Sequence, residues 1–158
     1  MRTGFGVDAH RFADDRLLIL GGVHVDHPRG LEGHSDADVV AHVVMDALLG
    51  AIADGDIGTH FPDTDVKWKD ADSLELLAIV RDRLRSRGVL QINNIDITIM
   101  AERPRIGPHV SAMRQKLAGA LAIAVDRVSV KATTVERMGA IGREEGIAAM
   151  AVATVETK

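Results

Sequence analysis

The 158 residues include no cysteine, and 19 lysines and arginines stand against 23 aspartates and glutamates for a net charge of −4. Disulfides and thiolate metal sites are thereby excluded, there is no basic footprint for nucleic acid, and no apolar run reaches the length of a membrane span. The length suits one domain over residues 1–158, and the first residues lack the pattern of a signal peptide, so a soluble cytoplasmic protein is expected. Aromatic residues make up only 3% and tyrosine is absent, which calls for an aliphatic, alanine-rich core whose layers approach closely.

In chain order, Met1 to Val7 reads as a first strand, followed by "RLLIL" and "GVHVD" with Gly21-Gly22 between them, the pattern of a hairpin. "HSDADVVAHVVMDALLGAIA" opens with Ser35-x-x-Asp38, which resembles a capping box, and predicts a helix over about 36–53. The stretch "DGDIGTHFPDTDVKWKDAD" (54–72) has no period. Irregular stretches of that length are usually functional or disordered, and it is expected to be mobile without ligand. Asp72-x-x-Glu75 starts a second helix that Gly88 stops. "NIDITIMA" alternates as a strand with Ile95, Ile97 and Ile99 on one face, and a third helix follows over about 110–124. "RVSVKATT" and "GIAAMAVATVE" are the final strands. The last is apolar on both faces, with Ala148, Met150 and Val152 opposite Ile147, Ala149, Ala151, Ala153 and Val155. A strand buried on both sides needs a cover on each. Three helices cover one face, so the other is expected to pack on further copies of the same sheet.

In "GFGVDAH", Asp8 and His10 lie two apart, and in a strand such residues share a face. His42 sits mid-helix among valines, on a polar stripe with Asp38 and Asp46 at i−4 and i+4. A two-His, one-carboxylate set leaves an open position on zinc, as a catalytic site requires, and fits non-haem iron equally. Asp38 or Asp46 is expected to hold the second ring nitrogen of His42. His34-Ser35 precedes the helix, where free N–H groups would favour an anion, or where Ser35 would simply cap. Thr133-Thr134 and Glu136 in "KATTVE" offer hydroxyls and a carboxylate at a strand end, suited to phosphate and a hard cation. For the metal set alone, a zinc phosphohydrolase remains an alternative, as does a non-enzymatic scaffold around a structural ion.

The segments "DAH", "GHSDADVVAH", "DALLGA", "GDIGTHFPDTD", "DITIMAERPRIGPH", "VKATTVE" and "GREEGIA" fall in the order and spacing of one family. Over essentially its whole length the chain resembles the 2-C-methyl-D-erythritol 2,4-cyclodiphosphate synthases of non-mevalonate isoprenoid biosynthesis. The resemblance implies a two-layer α/β (α+β) subunit, with helices on one face of a mixed sheet. Three such subunits would form a homotrimer with sheets inside and active sites between neighbours. It implies a phosphorus–oxygen lyase that converts 4-diphosphocytidyl-2-C-methyl-D-erythritol 2-phosphate to the cyclic diphosphate and CMP.

Carried over by position, Asp8, His10 and His42 match zinc ligands, and Glu136 matches a ligand for Mg2+ or Mn2+ on the substrate diphosphate. His34 and Thr134 match transition-state contacts, and Ser35 lies at the methylerythritol phosphate. Asp56, Ile57 and Gly58 with Phe61, Pro62, Asp63, Thr64 and Asp65 match a loop over the erythritol portion. Ala101, Glu102, Arg103, Pro104, Arg105, Ile106, Gly107 and Thr133 match a cytidine diphosphate pocket on the adjacent subunit. Ala140 and Arg143 match residues around the trimer axis, where Arg143 would serve an isoprenoid diphosphate. The chain departs from the pattern in four places. Val135 replaces a common third threonine, Arg105 a frequent lysine and Ala140 an aromatic often found at the axial cavity, while Gly107 supplies no side chain to the base pocket.

Overall fold

The structure, a computed structural model, describes residues 1–158. Strand β1 (Arg2–Ala13) runs well past Val7 and so includes Asp8 and His10. β2 (Leu18–Leu20) and β3 (Val23–Val25) form the expected antiparallel hairpin, with Gly21 and Gly22 at φ +57° and +73° in its turn. A two-residue strand β4 (Gly30–Leu31) pairs with the end of β1.

Helix α1 (Val39–Ala51) starts three residues later than expected. Its cap is Asp38, whose carboxylate accepts from the N–H groups of Val40 and Ala41 within the helix and of Gly21 and Gly22 in the hairpin turn. Ser35 cannot supply that second pair of bonds, so the aspartate that joins two elements defines the helix start. Burial pushes the Asp38 carboxyl up to about 6, against the pull of those N–H donors. Eleven residues of α1 are buried, Asp46 and Gly50 being outside that set. A helix apolar on nearly all sides belongs in the interior, and α1 packs on β1 and on the last strand of the chain, with the next two helices against it.

The 54–72 stretch contains a four-residue helix α2 (Ile57–His60) and a single 3-10 turn at Val66–Trp68. Helix α3 (Ser73–Ser86) is capped by Asp72, as the sequence indicates. β5 (Val89–Met100) begins five residues before its alternating part. Register shifts between Val89 and Gln91 and between Ile92 and Asn94 break the period there. Helix α4 (Val110–Leu121) ends at Ala122 in the left-handed region, short of the expected Ala124. β6 (Val128–Thr133), a four-residue helix α5 (Gly139–Gly142) and β7 (Gly146–Thr157) complete the chain.

The main sheet has the order β4-β1-β7-β5-β6, antiparallel except for the β5–β6 pair, which α4 connects. It is thus a mixed sheet. Ile95, Ile97, Ile99, Ile147, Ala149, Ala151, Ala153 and Val155 join α1, α3 and α4 in one cluster of 37 buried residues. The opposite face carries no helix. On it Phe5 is 59% exposed, Val7 55%, Met150 39% and Val152 38%, and these four meet as the cross-strand pairs Phe5–Val152 and Val7–Met150. A contiguous apolar patch of this kind is what the sequence expects of a face packed on further copies of the sheet.

Candidate metal centre and its surroundings

The centre is built by alternation along β1. Gly4, Gly6, Asp8 and His10 share the face turned to α1. A Cβ on Gly4 would lie 2.0 Å from the Ala47 carbonyl oxygen, and one on Gly6 2.2 Å from that of Val43. Only glycine allows the helix to lie this close to the strand. The next two residues on the same face are Asp8 and His10, and His42, one residue before Val43, comes to them from the helix.

Asp8 Oδ2 lies 2.8 Å from His10 Nε2 and 3.1 Å from His42 Nδ1, and the two nitrogens are 3.2 Å apart. The partners of the outer ring nitrogens bear on the tautomers. His10 Nδ1 is 2.6 Å from the Glu32 carbonyl oxygen, which only accepts, so Nδ1 carries the proton and Nε2 presents a lone pair. His42 Nε2 is 3.3 Å from both Ser35 Oγ and Ser73 Oγ. With Nε2–H donated to a hydroxyl, Nδ1 is bare. Three acceptors then converge with no donor among them, an arrangement that requires a cation, either a proton or a metal. Burial works against the charge on Asp8, but hydrogen bonds and charges from His10 and His42 outweigh it and hold the carboxyl well below the usual range. Burial likewise opposes the charge on His10, and Asp8 reverses that and raises its pKa. Two imidazoles and one carboxylate, with the His10 tautomer fixed by a carbonyl, fit a divalent ion such as zinc.

Asp38 and Asp46 do not support His42. Asp38 is occupied as the helix cap, and Asp46 accepts from Ile57 N–H at 2.8 Å, which fixes the start of α2 to α1. Nor is the start of α1 free for an external anion, since Asp38 already occupies it. His34, Ser35 and His42 instead line a small cavity of about 100 Å³ with Met45, Ile57, Phe61, Trp68 and Leu76. Phe61 and Trp68 pack edge to face at 5.0 Å over it. His34 Nε2 donates to the Asp65 carbonyl oxygen at 3.2 Å, and Asp56 caps α2 by accepting from Thr59. Gly58, Asp63, Thr64 and Asp65 are exposed beside it, with Pro62 half-buried.

A second, open cavity of about 350 Å³ is lined by Ala101, Glu102, Pro104, Arg105, Ile106, Gly107, Thr133 and Thr134, among others, while Arg103 is exposed outside it. Glu102 accepts from the N–H groups of Val135 and Arg137 at 3.0 and 2.9 Å, which shapes the turn after β6. Thr134 Oγ1 donates to Glu136 Oε1 at 3.1 Å. Thr133 pairs with Met100, Met100 with Ala148 and Ala148 with Ala9. This cavity therefore lies at the same end of the sheet as the triad but three strands away, roughly 14 Å at ordinary strand spacing. Glu136 is not part of the metal-ligand cluster of its own chain. Ala140 is exposed on α5, and Arg143 pairs with Glu145 at 2.6 Å.

The YgbB family profile matches residues 1–156. The chain belongs to the YgbB family. A relative from Salinibacter ruber, named 2-C-methyl-D-erythritol 2,4-cyclodiphosphate synthase, is 57% identical over 157 residues, 99% of either chain. The bifunctional IspDF of Campylobacter jejuni superposes with a TM-score of 0.95 at 43% identity over 99% of this chain, which spans only 42% of that larger protein. The Plasmodium falciparum IspF in complex with CDP gives a TM-score of 0.86 at 30% identity, covering 99% of this chain and 96% of that one.

In this YgbB-family chain several contributors to the site carry no motif. Arg16 donates to the carbonyl oxygens of Gly33 and Ser35 at 2.9 and 2.6 Å and so holds the His34–Ser35 segment in place. The Glu32 carbonyl and the Ser73 hydroxyl reach the two histidines from 22 and 31 residues away. No spacing rule links residues that far apart, and only the fold could have disclosed them.

Proposed function

We propose that the chain is a 2-C-methyl-D-erythritol 2,4-cyclodiphosphate synthase, a phosphorus–oxygen lyase of non-mevalonate isoprenoid biosynthesis, acting as a single cytoplasmic domain over residues 1–158. The observation that carries this reading is the Asp8–His10–His42 cluster opening beside the His34–Ser35 cavity, in a chain 57% identical to a protein of that name. The CDP complex of a structural relative supports a cytidine diphosphate substrate for the open cavity around Ala101–Gly107. The substrate is 4-diphosphocytidyl-2-C-methyl-D-erythritol 2-phosphate. A 2-phosphate oxygen bonds to the β-phosphorus, the bond from that phosphorus to the α–β bridging oxygen breaks, and CMP leaves with the electron pair.

The nucleophile is already anionic at neutral pH, so no side chain has to act as a strong base. What the chain must supply is positioning, charge neutralisation and the exclusion of water. Ser35 and His34 orient the 2-phosphate. Residues Asp56–Gly58 and Phe61–Asp65 cover the erythritol portion and keep out water that would yield a linear product. When bound, zinc at Asp8, His10 and His42 and Mg2+ or Mn2+ at Glu136 supply positive charge to the diphosphate oxygens. Thr134 and Thr133 donate to the diphosphate and Ala101–Gly107 receive the cytidine. The separation of this group from the triad within one chain, and the uncovered apolar sheet face, both favour a homotrimer whose neighbours complete each other's sites. At the axis of that trimer Arg143, beside Ala140, would meet an isoprenoid diphosphate.

A phosphorus NMR time course with this substrate and Mg2+, with and without a zinc chelator, tests the reading. A cyclic diphosphate with stoichiometric CMP, both abolished by chelation, is expected. A linear phosphate product would assign a phosphohydrolase instead, and no turnover by a metal-loaded assembly would leave a binding protein.

A further inference from the structure

Ser73 is the first residue of α3 and is fully buried, yet its hydroxyl lies at the metal centre. Ser73 Oγ is 2.5 Å from Asp36 Oδ1 and 3.3 Å from His42 Nε2, while Asp36 Oδ2 accepts the Ser73 backbone N–H at 3.0 Å. A carboxylate only accepts, so the hydroxyl proton points to Asp36 and both lone pairs of Ser73 Oγ are left for His42 Nε2–H. A hydroxyl that donates to a carboxylate is polarised and becomes the stronger acceptor. Ser35 Oγ is the rival acceptor at the same distance. It already accepts the Ala37 N–H at 3.2 Å, and under the function proposed above, on which this step rests, it is drawn to the substrate phosphate.

We infer that Ser73, backed by Asp36, is a positioning residue that keeps His42 Nδ1 turned to the metal, with or without substrate on Ser35. Asp36 is also tied to the end of the 54–72 stretch. Its N–H bonds the Ala71 carbonyl at 3.1 Å, and the Asp70 N–H bonds the His34 carbonyl at 2.9 Å. The orientation of a metal ligand is thereby joined to the seating of the segment that covers the cavity.

The test is zinc affinity by chelator competition on the full chain, without substrate, for the wild type, Ser73→Ala, Ser73→Thr and Asp36→Asn. Circular dichroism and thermal melting of each metal-free protein are recorded in parallel. Ser73→Ala should weaken zinc binding about 10- to 100-fold with the metal-free helix content retained. Ser73→Thr, which keeps the hydroxyl, should recover most of that affinity, and Asp36→Asn should fall between. Unchanged affinity in Ser73→Ala with a lowered metal-free melting temperature would make Ser73 a helix anchor only. Should the alanine variant fail to fold, nitrogen-15 NMR of the zinc-loaded wild type decides: a proton on His42 Nε2 with Nδ1 on zinc is required, and the reverse overturns the inference. A loss of zinc affinity together with a wild type that makes no cyclic product would uphold the Ser73 role and reject the proposed function.

Discussion

The two ends of the proposed site are constructed differently. The triad is held by elements that leave it little freedom: a strand with two glycines pressed against a buried helix, a carbonyl fixing one ring and serine hydroxyls facing the other. The Thr133–Glu136 turn is exposed, lies at the sheet edge and is shaped mainly by Glu102. One chain therefore carries a preassembled Asp–His–His cluster and, three strands away, an open cavity proposed to take the nucleotide. Under the proposed function, metal binding would belong to the folded subunit, whereas turnover would depend on the assembly.

The largest effect should come from breaking the assembly. Val152→Asp puts a charge at the centre of the uncovered apolar face. It should give a monomer by light scattering that binds zinc as the wild type does and makes no product; a trimer of normal activity would remove that face from the interface. Truncating a ligand, His42→Ala, should leave a folded oligomer whose turnover has dropped roughly 10³-fold or more, with zinc lost on dialysis. Thr134→Ala should lower kcat by about 10²–10³ with zinc affinity unchanged. An equal fall in zinc binding would show that the two ends are not separate.

Smaller effects concern how the triad is held. Gly6→Ala places a Cβ against the Val43 carbonyl, and the forced separation of α1 from β1 should cost about 1–3 kcal/mol in chemical denaturation and weaken zinc binding. For the metal-free protein, the sign of the pH dependence follows from the two shifts. The Asp8 pKa is depressed from 3.8, so its contribution to stability is present above that value and lost as pH falls toward the folded value. That of His10 is raised from 6.5, so its contribution is present below 6.5 and lost as pH rises through the folded value. Melting of the metal-free chain should therefore be highest between these limits and decline toward pH 8. The zinc-loaded chain should instead gain stability over the same rise, because the ion displaces the proton.

Much of this was legible in the residues. The alternation in "GFGVDAH" already put Asp8 and His10 on one face, and the apolar helix around His42 was plain. Gly4 and Gly6 stood on that same face, but their purpose needed the position of α1. The start of α1 is ambiguous in the sequence because "SDAD" holds three residues able to cap, and Asp38 prevails through bonds to Gly21 and Gly22, a tertiary reason. The first half of β5 was hidden by register shifts that break its alternation. Helical spacing points to Asp38 and Asp46 as support for His42, but its ring is met by Ser35 and by Ser73, the latter 31 residues away. Local periodicity finds ligands on regular elements; it cannot find partners that meet only through packing.

The central claim, that each site takes its triad from one subunit and its Thr134 from the next, is tested most directly by mixing two inactive variants. His42→Ala and Thr134→Ala are unfolded together in equal amounts, refolded with zinc and Mg2+, and assayed for cyclic diphosphate. Sites between subunits predict recovery to about one quarter of wild-type activity, because a random trimer pairs an intact triad with an intact neighbouring threonine at that frequency. No recovery above the separate variants, from a mixture shown to form mixed trimers, would contradict it and return the whole reaction to a single chain.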